Sequence, residues 1–201
     1  MAYRSQKNAL RSLMRLAAAQ GGYFTAKQAM KAGYAYSHLV YHLKAGNFER
    51  AAHGLYRMPT LPHADHDDLV RLSFWSRGRD DQPQAVVSHQ TALGLYDLGD
   101  LIPGDIHLTV PPSFRKRPPR GCRLHKRTLA DVESREMLGI RVTAPIRTLA
   151  DLAIDPSMPR EQLELAVRSA IERGLIRRSQ AKMLRSSQGA APAARATKAT
   201  R

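Results

Sequence analysis

Four side chains in one short stretch, Tyr36, Ser37, His38 and Tyr41, carry hydroxyl and imidazole groups that can exchange hydrogen bonds with the edges of nucleic-acid bases. They do so when a helix presents them to a major groove while cations beside it meet phosphates. Lys27, Lys44, Arg50 and Arg57 supply such cations close by in the sequence. Phosphate contacts of this kind carry no base information and make binding steeply salt-dependent. A second set, Arg115, Lys116, Arg117, Arg120, Arg123, Lys126 and Arg127, is interleaved with Pro118 and Pro119 and is expected to be largely exposed. That patch suits a nucleic-acid backbone or an acidic partner, and equally a solvated charged loop.

Catalytic chemistry is less well served. His63, Asp65, His66, Asp67 and Asp68 are metal-ligand types, but they fall in a polar linker with no spacing that aims two ligands at one point. Ser88 and His89 could suggest a nucleophile and its base; adjacent residues are expected to point apart, and Ser88 reads more simply as the cap of the helix that follows. Asp80 and Asp81 lack the Gly-Ser and spaced carboxylates of a nucleotidyltransferase, and there is no glycine-rich phosphate loop. The lone Cys122 beside arginines reads as an inert thiol. These features predict no catalytic residue, no metal ligand and no cofactor.

Net charge sharpens the nucleic-acid reading. The chain has 201 residues, a formal charge of +15 and a single cysteine. Residues 1–60 carry 9 basic and 1 acidic side chains, residues 61–110 carry 3 and 8, and residues 111–201 carry 20 and 8, so an acidic middle separates two basic regions. One cysteine excludes a disulfide framework and suits a reducing compartment. The first twenty residues place apolar side chains around a helix and interrupt them with Arg11 and Arg15, unlike a signal peptide. No stretch approaches the ~18 apolar residues of a membrane span. The expectation is a soluble, cytoplasmic chain with no membrane partner.

The elements that must hold the first set of residues follow from spacing and punctuation. Leu10, Leu13, Met14 and Ala17 mark a helix over about 5–20, ended by Gly21 and Gly22. Thr25 caps a second helix over 26–32, stopped by Gly33. Ser37 is read as the cap of a third, with Leu39, Val40 and Leu43 toward the core and Gly46 as its stop. Residues 48–51, the turn pair His53 and Gly54, and residues 55–58 read as a hairpin ended by Pro59. Three short helices and a hairpin predict a winged helix-turn-helix over 1–60.

Beyond a boundary near Leu61, residues 61–186 read as a mixed domain. A helix starting at Asp67 is expected to run into a strand before Ser76, with strands at 84–87, 106–110, 123–125 and 140–143. Helices are expected at about 90–98, at 146–153, at 160–173 and at 179–184. Residues 187–201 hold no large apolar side chain and are expected to be a disordered basic tail. The fold class is therefore α+β, with an N-terminal winged helix-turn-helix, a mixed α/β domain with helices gathered at its end, and the tail.

The run LMRLAAAQGGYFTAKQAMKAGYAYSHLVYHLKAGNFERAAHGLYRMP resembles the N-terminal domain of the AbiEi family of bacterial antitoxins from type IV toxin-antitoxin systems. Its marks are GGYFTAKQA, the helix opening near Ser37 and the wing GNFERAAHGLYR. The segment AVVSHQTALGLYDLGDLIPGDIHLTVP resembles the start of that family's second domain, and the likeness extends to about Ala153. The resemblance implies a transcriptional repressor that binds the operator of its own operon on double-stranded DNA. It also implies an antitoxin that counteracts a nucleotidyltransferase toxin without a stable complex. Two alternatives stay open: a general basic nucleic-acid-binding protein without antitoxin role, and a nuclease, against which no paired acidic and Lys motif stands out after Gly139.

Overall fold

A computed structural model describes residues 2–99, 104–137 and 139–188, with side chains over 7–99, 104–137 and 139–184. Two compact units divide the chain: Met1–Ala85 with Glu136–Arg141, and Val86–Arg135 with Val142–Arg201. Both α and β structure are present, and no helix among the described residues is long and apolar enough to cross a membrane.

In the first unit the order is α1 (Ala2–Ala18), β1 (Tyr23–Thr25), α2 (Ala26–Lys31), α3 (Tyr36–Lys44), β2 (Glu49–Ala52), β3 (Leu55–Arg57) and α4 (Asp67–Ser76). The strands form an antiparallel sheet in the order β1-β3-β2, with Phe24 opposite Tyr56 and Arg50 opposite Tyr56 across the two ladders. Leu13 and Ala17 of α1, Phe24, Ala29, Leu39, Phe48, Tyr56 and Met58 close one core. Phe24 meets Phe48 edge-on at 5.0 Å and stacks on Tyr56 at 5.7 Å.

Local chemistry explains the helix limits. Thr25 begins α2 with a reciprocal cap: its hydroxyl accepts from the Gln28 amide at 3.2 Å, and its own amide donates to Gln28 Oε1 at 2.8 Å. α3 starts one residue before Ser37, at Tyr36, with Ala35 as the cap residue. Ser37 is therefore inside the first turn, and the Ala35 amide instead lies 3.5 Å from Nδ1 of His38, three residues on, which reaches back to the cap residue. Gly46, at φ 71°, reverses the chain after α3, and Gly54, at φ 70°, closes the β2–β3 turn.

The region from Asp67 to Ser76 is helical throughout rather than a helix passing into a strand. Leu69, Val70, Leu72 and Phe74 are buried, and Asp67 and Asp68 favour the positive end of a helix dipole. This helix belongs to the first unit, so that unit runs past Leu61 to Ala85. The Tyr23 hydroxyl donates to Asp67 at 2.9 Å, and the Tyr23 ring meets Phe74 at 6.0 Å.

From Val86 on, the order is β4 (Val86–Val87), α5 (His89–Leu95), β5 (Ile106–Val110), β6 (Cys122–Lys126), a 3-10 turn (Asp131–Glu133), β7 (Ser134–Met137), β8 (Ile140–Thr143), α6 (Pro145–Ala153), α7 (Arg160–Glu172) and α8 (Arg178–Gln188), all in the second unit except the end of β7 and the start of β8, which fall within Glu136–Arg141 of the first. Strand order is β6-β5-β4-β8-β7; β4 pairs antiparallel with β5 and parallel with β8, and β5 and β6 run parallel. A parallel neighbour requires the chain to return to the strand's starting end. Residues 111–121, which include the proline-bearing basic segment, make that return. Val86, Leu93, Leu108, Val110, Val142, Leu149 and Leu152 are buried in this unit, and Leu163, Ala166, Val167 and Ala170 bury one face of α7. Of the tail expected over 187–201, residues 187 and 188 close α8, and the remainder lies outside the described residues.

Candidate nucleic-acid interface and a histidine cluster

On α3 the burial of Leu39 fixes which face points away from the core. Ser37, Val40, Tyr41 and Lys44 follow one another at helical spacing, and all are exposed, as is Tyr36. Tyr36 and Tyr41 leave 64% and 66% of their surface open, so these two rings are not packing residues. Val40, expected toward the core, is on this open face instead. Its γ-methyls give the stripe an apolar group of the kind that meets a thymine methyl. Exposure at three residues past Ser37 is the periodicity signal that could have found it.

The remaining candidates divide. His38 is exposed but engaged at the helix start, with its ring edge-on to Tyr34 at 6.4 Å. His42 and Tyr34, which flank the stripe in sequence, pack on Phe48 at 4.8 and 5.9 Å. Burial, and then the neighbouring His38 charge, lowers the pKa of His42, so this ring is a neutral packing group. Lys44 and Arg50 are exposed, the latter on the edge strand β2. Lys27 is exposed, with Nζ 3.3 Å from the Arg79 carbonyl.

Arg57 does not belong to the surface set. Only 5% of it is exposed, and its guanidinium donates to the Leu61 carbonyl at 2.6 Å and lies 3.9 Å from Glu49. It sits on the central strand β3 with its side chain covered, and a covered cation cannot displace counterions from a phosphate. Sequence spacing alone did not separate it from Arg50, because the two belong to opposite strands of one hairpin.

In the second unit Arg115, Lys116, Arg117, Arg120, Arg123 and Lys126 are exposed, as expected. Arg127 is half-exposed and lies 3.6 Å from Asp151. Asp151 is buried and is also gripped by Arg147 through two hydrogen bonds; Arg147 in turn donates to Glu133 at 3.0 Å. This carboxylate is fully committed to arginines.

A constellation that sequence reasoning missed lies in the same unit. His89, His107 and His125 each offer a ring nitrogen, and these nitrogens all fall within 4.8 Å of one another. Parallel pairing puts Thr109 opposite His125 and His107 opposite Arg123, so His107 and His125 are diagonal neighbours on one sheet face. His125 Nε2 is 3.1 Å from His107 Nδ1, and the His89 and His125 rings stack with centroids 3.6 Å apart. His89 reaches them because it opens α5 at φ 52°, a left-handed conformation that a residue with a Cβ adopts at a cost. The same conformation brings its Nδ1 to 3.0 Å from Ser88 Oγ, so the two side chains meet rather than point apart. Ser88 is the cap residue of α5 but makes no capping hydrogen bond, and it is completely buried.

All three imidazoles have depressed pKa values. Burial is the main cause at each, with the mutual repulsion of the rings adding to it at His89 and His107; His89 is pushed down to about 4. At neutral pH these rings are uncharged, and each has one ring nitrogen that carries a lone pair, one of which accepts the hydrogen bond between His107 and His125. A cavity of about 410 Å³ opens beside His89 and His125 and is lined also by Arg123, Asp151, Ile154 and Asp155. Burial alone would raise the Asp155 pKa, but hydrogen bonds from Ser157 and Gln90 hold it below the usual carboxylate value.

Residues 11–59 match the family model described as transcriptional regulator, AbiEi antitoxin, and so span α1 from Arg11 through the β2–β3 hairpin. The AbiEi resemblance read from these residues is thereby shown for this segment. A comparison with curated proteins gave no match.

Proposed function

We propose, on the premise that residues 11–59 form a domain of the AbiEi type, that the first unit contains a winged helix-turn-helix over residues 1–60. In this reading α3 enters the major groove of an operator near the chain's own gene and represses transcription there. The observation that carries it is the exposed stripe of Ser37, Val40, Tyr41 and Lys44 on α3, with Arg50 on the adjacent hairpin. Hydroxyls and an apolar side chain on one helix face suit base edges; Lys44 at the end of α3 and Arg50 on β2 suit phosphates. The order of three helices and a three-stranded antiparallel sheet supports α3 as the recognition element and β2–β3 as the wing.

The second unit serves as a non-enzymatic effector in this reading, counteracting a nucleotidyltransferase toxin in the cytoplasm without a stable complex. Burial of Ser88 and the commitment of Asp151 to Arg147 and Arg127 both disfavour hydrolytic chemistry there. The exposed run from Arg115 to Lys126 favours a second reading, a sequence-tolerant nucleic-acid binder in which this patch dominates. Binding of the protein to its own upstream DNA and to scrambled DNA of equal length separates the two. The repressor reading expects a preference for the upstream sequence of at least about 10³-fold. Equal affinity for both DNAs would overturn it. For antitoxicity, co-expression with a neighbouring nucleotidyltransferase should restore growth that the toxin alone arrests; unrelieved arrest would remove that role.

A further inference from the structure

We propose that His89, His107 and His125 bind one divalent late transition-metal ion, with Zn2+ as the ion that fits best. Three features of the second unit carry the proposal. First, three imidazoles from three separate elements, α5, β5 and β6, bring a nitrogen each within 4.8 Å of the others. Nitrogens around a tetrahedral zinc, at ~2.0–2.1 Å from the ion, stand a little over 3 Å apart. The 3.1 Å between His125 Nε2 and His107 Nδ1 is a hydrogen bond without the ion and is close to one edge of such a polyhedron; ligation by both nitrogens moves the proton between them to another ring nitrogen.

Second, the ligand that departs furthest from ordinary backbone geometry is the one that completes the set. His89 occupies a left-handed conformation at φ 52° and places its ring on His125. Strain of this kind persists where surrounding structure holds it and concentrates at functional positions. The Ser88 hydroxyl holds His89 Nδ1 at 3.0 Å, which leaves Nε2 for the ion and fixes the ring in the way that outer partners fix metal-binding histidines.

Third, the set is open on one side. The cavity of about 410 Å³ includes His89 and His125 in its wall and gives a fourth position to water or a small anion. Neither nearby carboxylate is a spare ligand or base: Asp151 is held by Arg147 and Arg127, and Asp155 by Ser157 and Gln90. Imidazole-only coordination selects zinc and its late first-row neighbours over magnesium or calcium. One adjustment is required. The His107 and His89 rings lie 24° and 16° from the His125 plane, whereas an ion must sit near the plane of every ring that ligates it. Rotation about the Cβ–Cγ torsion of histidine, which is broad, is the change that ligation requires of these rings.

The test uses the full chain stripped with a chelator. Titration with Zn2+ by calorimetry and with Co2+ by visible absorption, at pH 7.5, should show one site per chain with a Kd below about 1 µM and four-coordinate Co2+ bands. His125→Gln and His89→Asn should each weaken binding at least tenfold and lose those bands; asparagine tolerates the backbone conformation at position 89. His63→Ala with His66→Ala should leave the site intact. Circular dichroism checks that each variant is folded, and the half-buried ring of His125 keeps the test decisive if position 89 does not tolerate change. Absence of a saturable site in the unmodified chain would overturn the proposal. So would binding that survives His125→Gln, or binding lost only in the His63→Ala, His66→Ala chain.

Discussion

The exposed face of α3 and the histidine cluster of the second unit are assembled in opposite ways. The α3 stripe comes from eight consecutive positions, Ser37 to Lys44, and needs only a helix and a core-facing Leu39 to orient it. The histidines lie at positions 89, 107 and 125, and meet only because β5 and β6 run parallel and α5 begins beside them. An exposed helix face is thus written into local periodicity. A buried constellation is written into topology, which no local pattern displays.

Substitutions can break this contrast. The largest effect is expected at Leu39, which is fully buried behind the stripe. Leu39→Ala should cost about 2–5 kcal/mol and abolish DNA binding while Co2+ binding by the second unit persists. Loss of both together, measured by gel shift and visible absorption, would contradict the independence of the two regions. Arg57→Ala should come next, at about 1–3 kcal/mol in chemical denaturation, because the half-buried Leu61 carbonyl loses its donor. Its salt dependence of DNA binding should match the unmodified chain; a reduced slope would return Arg57 to the phosphate-contacting set.

Lys44→Ala combined with Arg50→Ala tests the opposite expectation. DNA affinity should fall about tenfold, and the slope of log affinity against log salt should drop by about 2, with thermal stability unchanged. A smaller effect is expected from pH. The folded His89 pKa is about 4 against an ordinary value of 6.5, so the unfolded chain takes up a proton that the folded chain refuses. In chelator-treated protein, stability should therefore be full above pH 6.5 and decline as the pH falls toward 4. His89→Asn should flatten that decline in thermal melts between these pH values; an unchanged decline would assign the titration to other groups.

Much of the first unit was legible. Thr25 as a cap, Gly46 as a stop, and the turn at His53 and Gly54 all sit where residue type predicts, because each acts through its own backbone neighbours. Strands at 106–110 and 140–143 were read for the same reason. The errors arose where packing decides. Asp67–Ser76 alternates apolar and polar residues well enough to suggest a strand, whereas it is a helix that buries Leu69, Val70, Leu72 and Phe74. Arg57 and Arg50 look alike in the sequence, while strand position buries one and exposes the other. Ser88 and His89 were expected to diverge because ordinary backbone angles separate adjacent side chains; the left-handed His89 reverses that.

The central claim is that the α3 face reads a specific DNA sequence. Equilibrium binding of the full chain to its own upstream DNA and to scrambled DNA, each across a salt series, tests it most directly. Preference for the upstream sequence that persists at higher salt, and that Tyr41→Ala with Ser37→Ala removes while leaving the salt slope unchanged, is the predicted result. Equal affinity for the two DNAs, or a preference untouched by the combined stripe substitution, would contradict it.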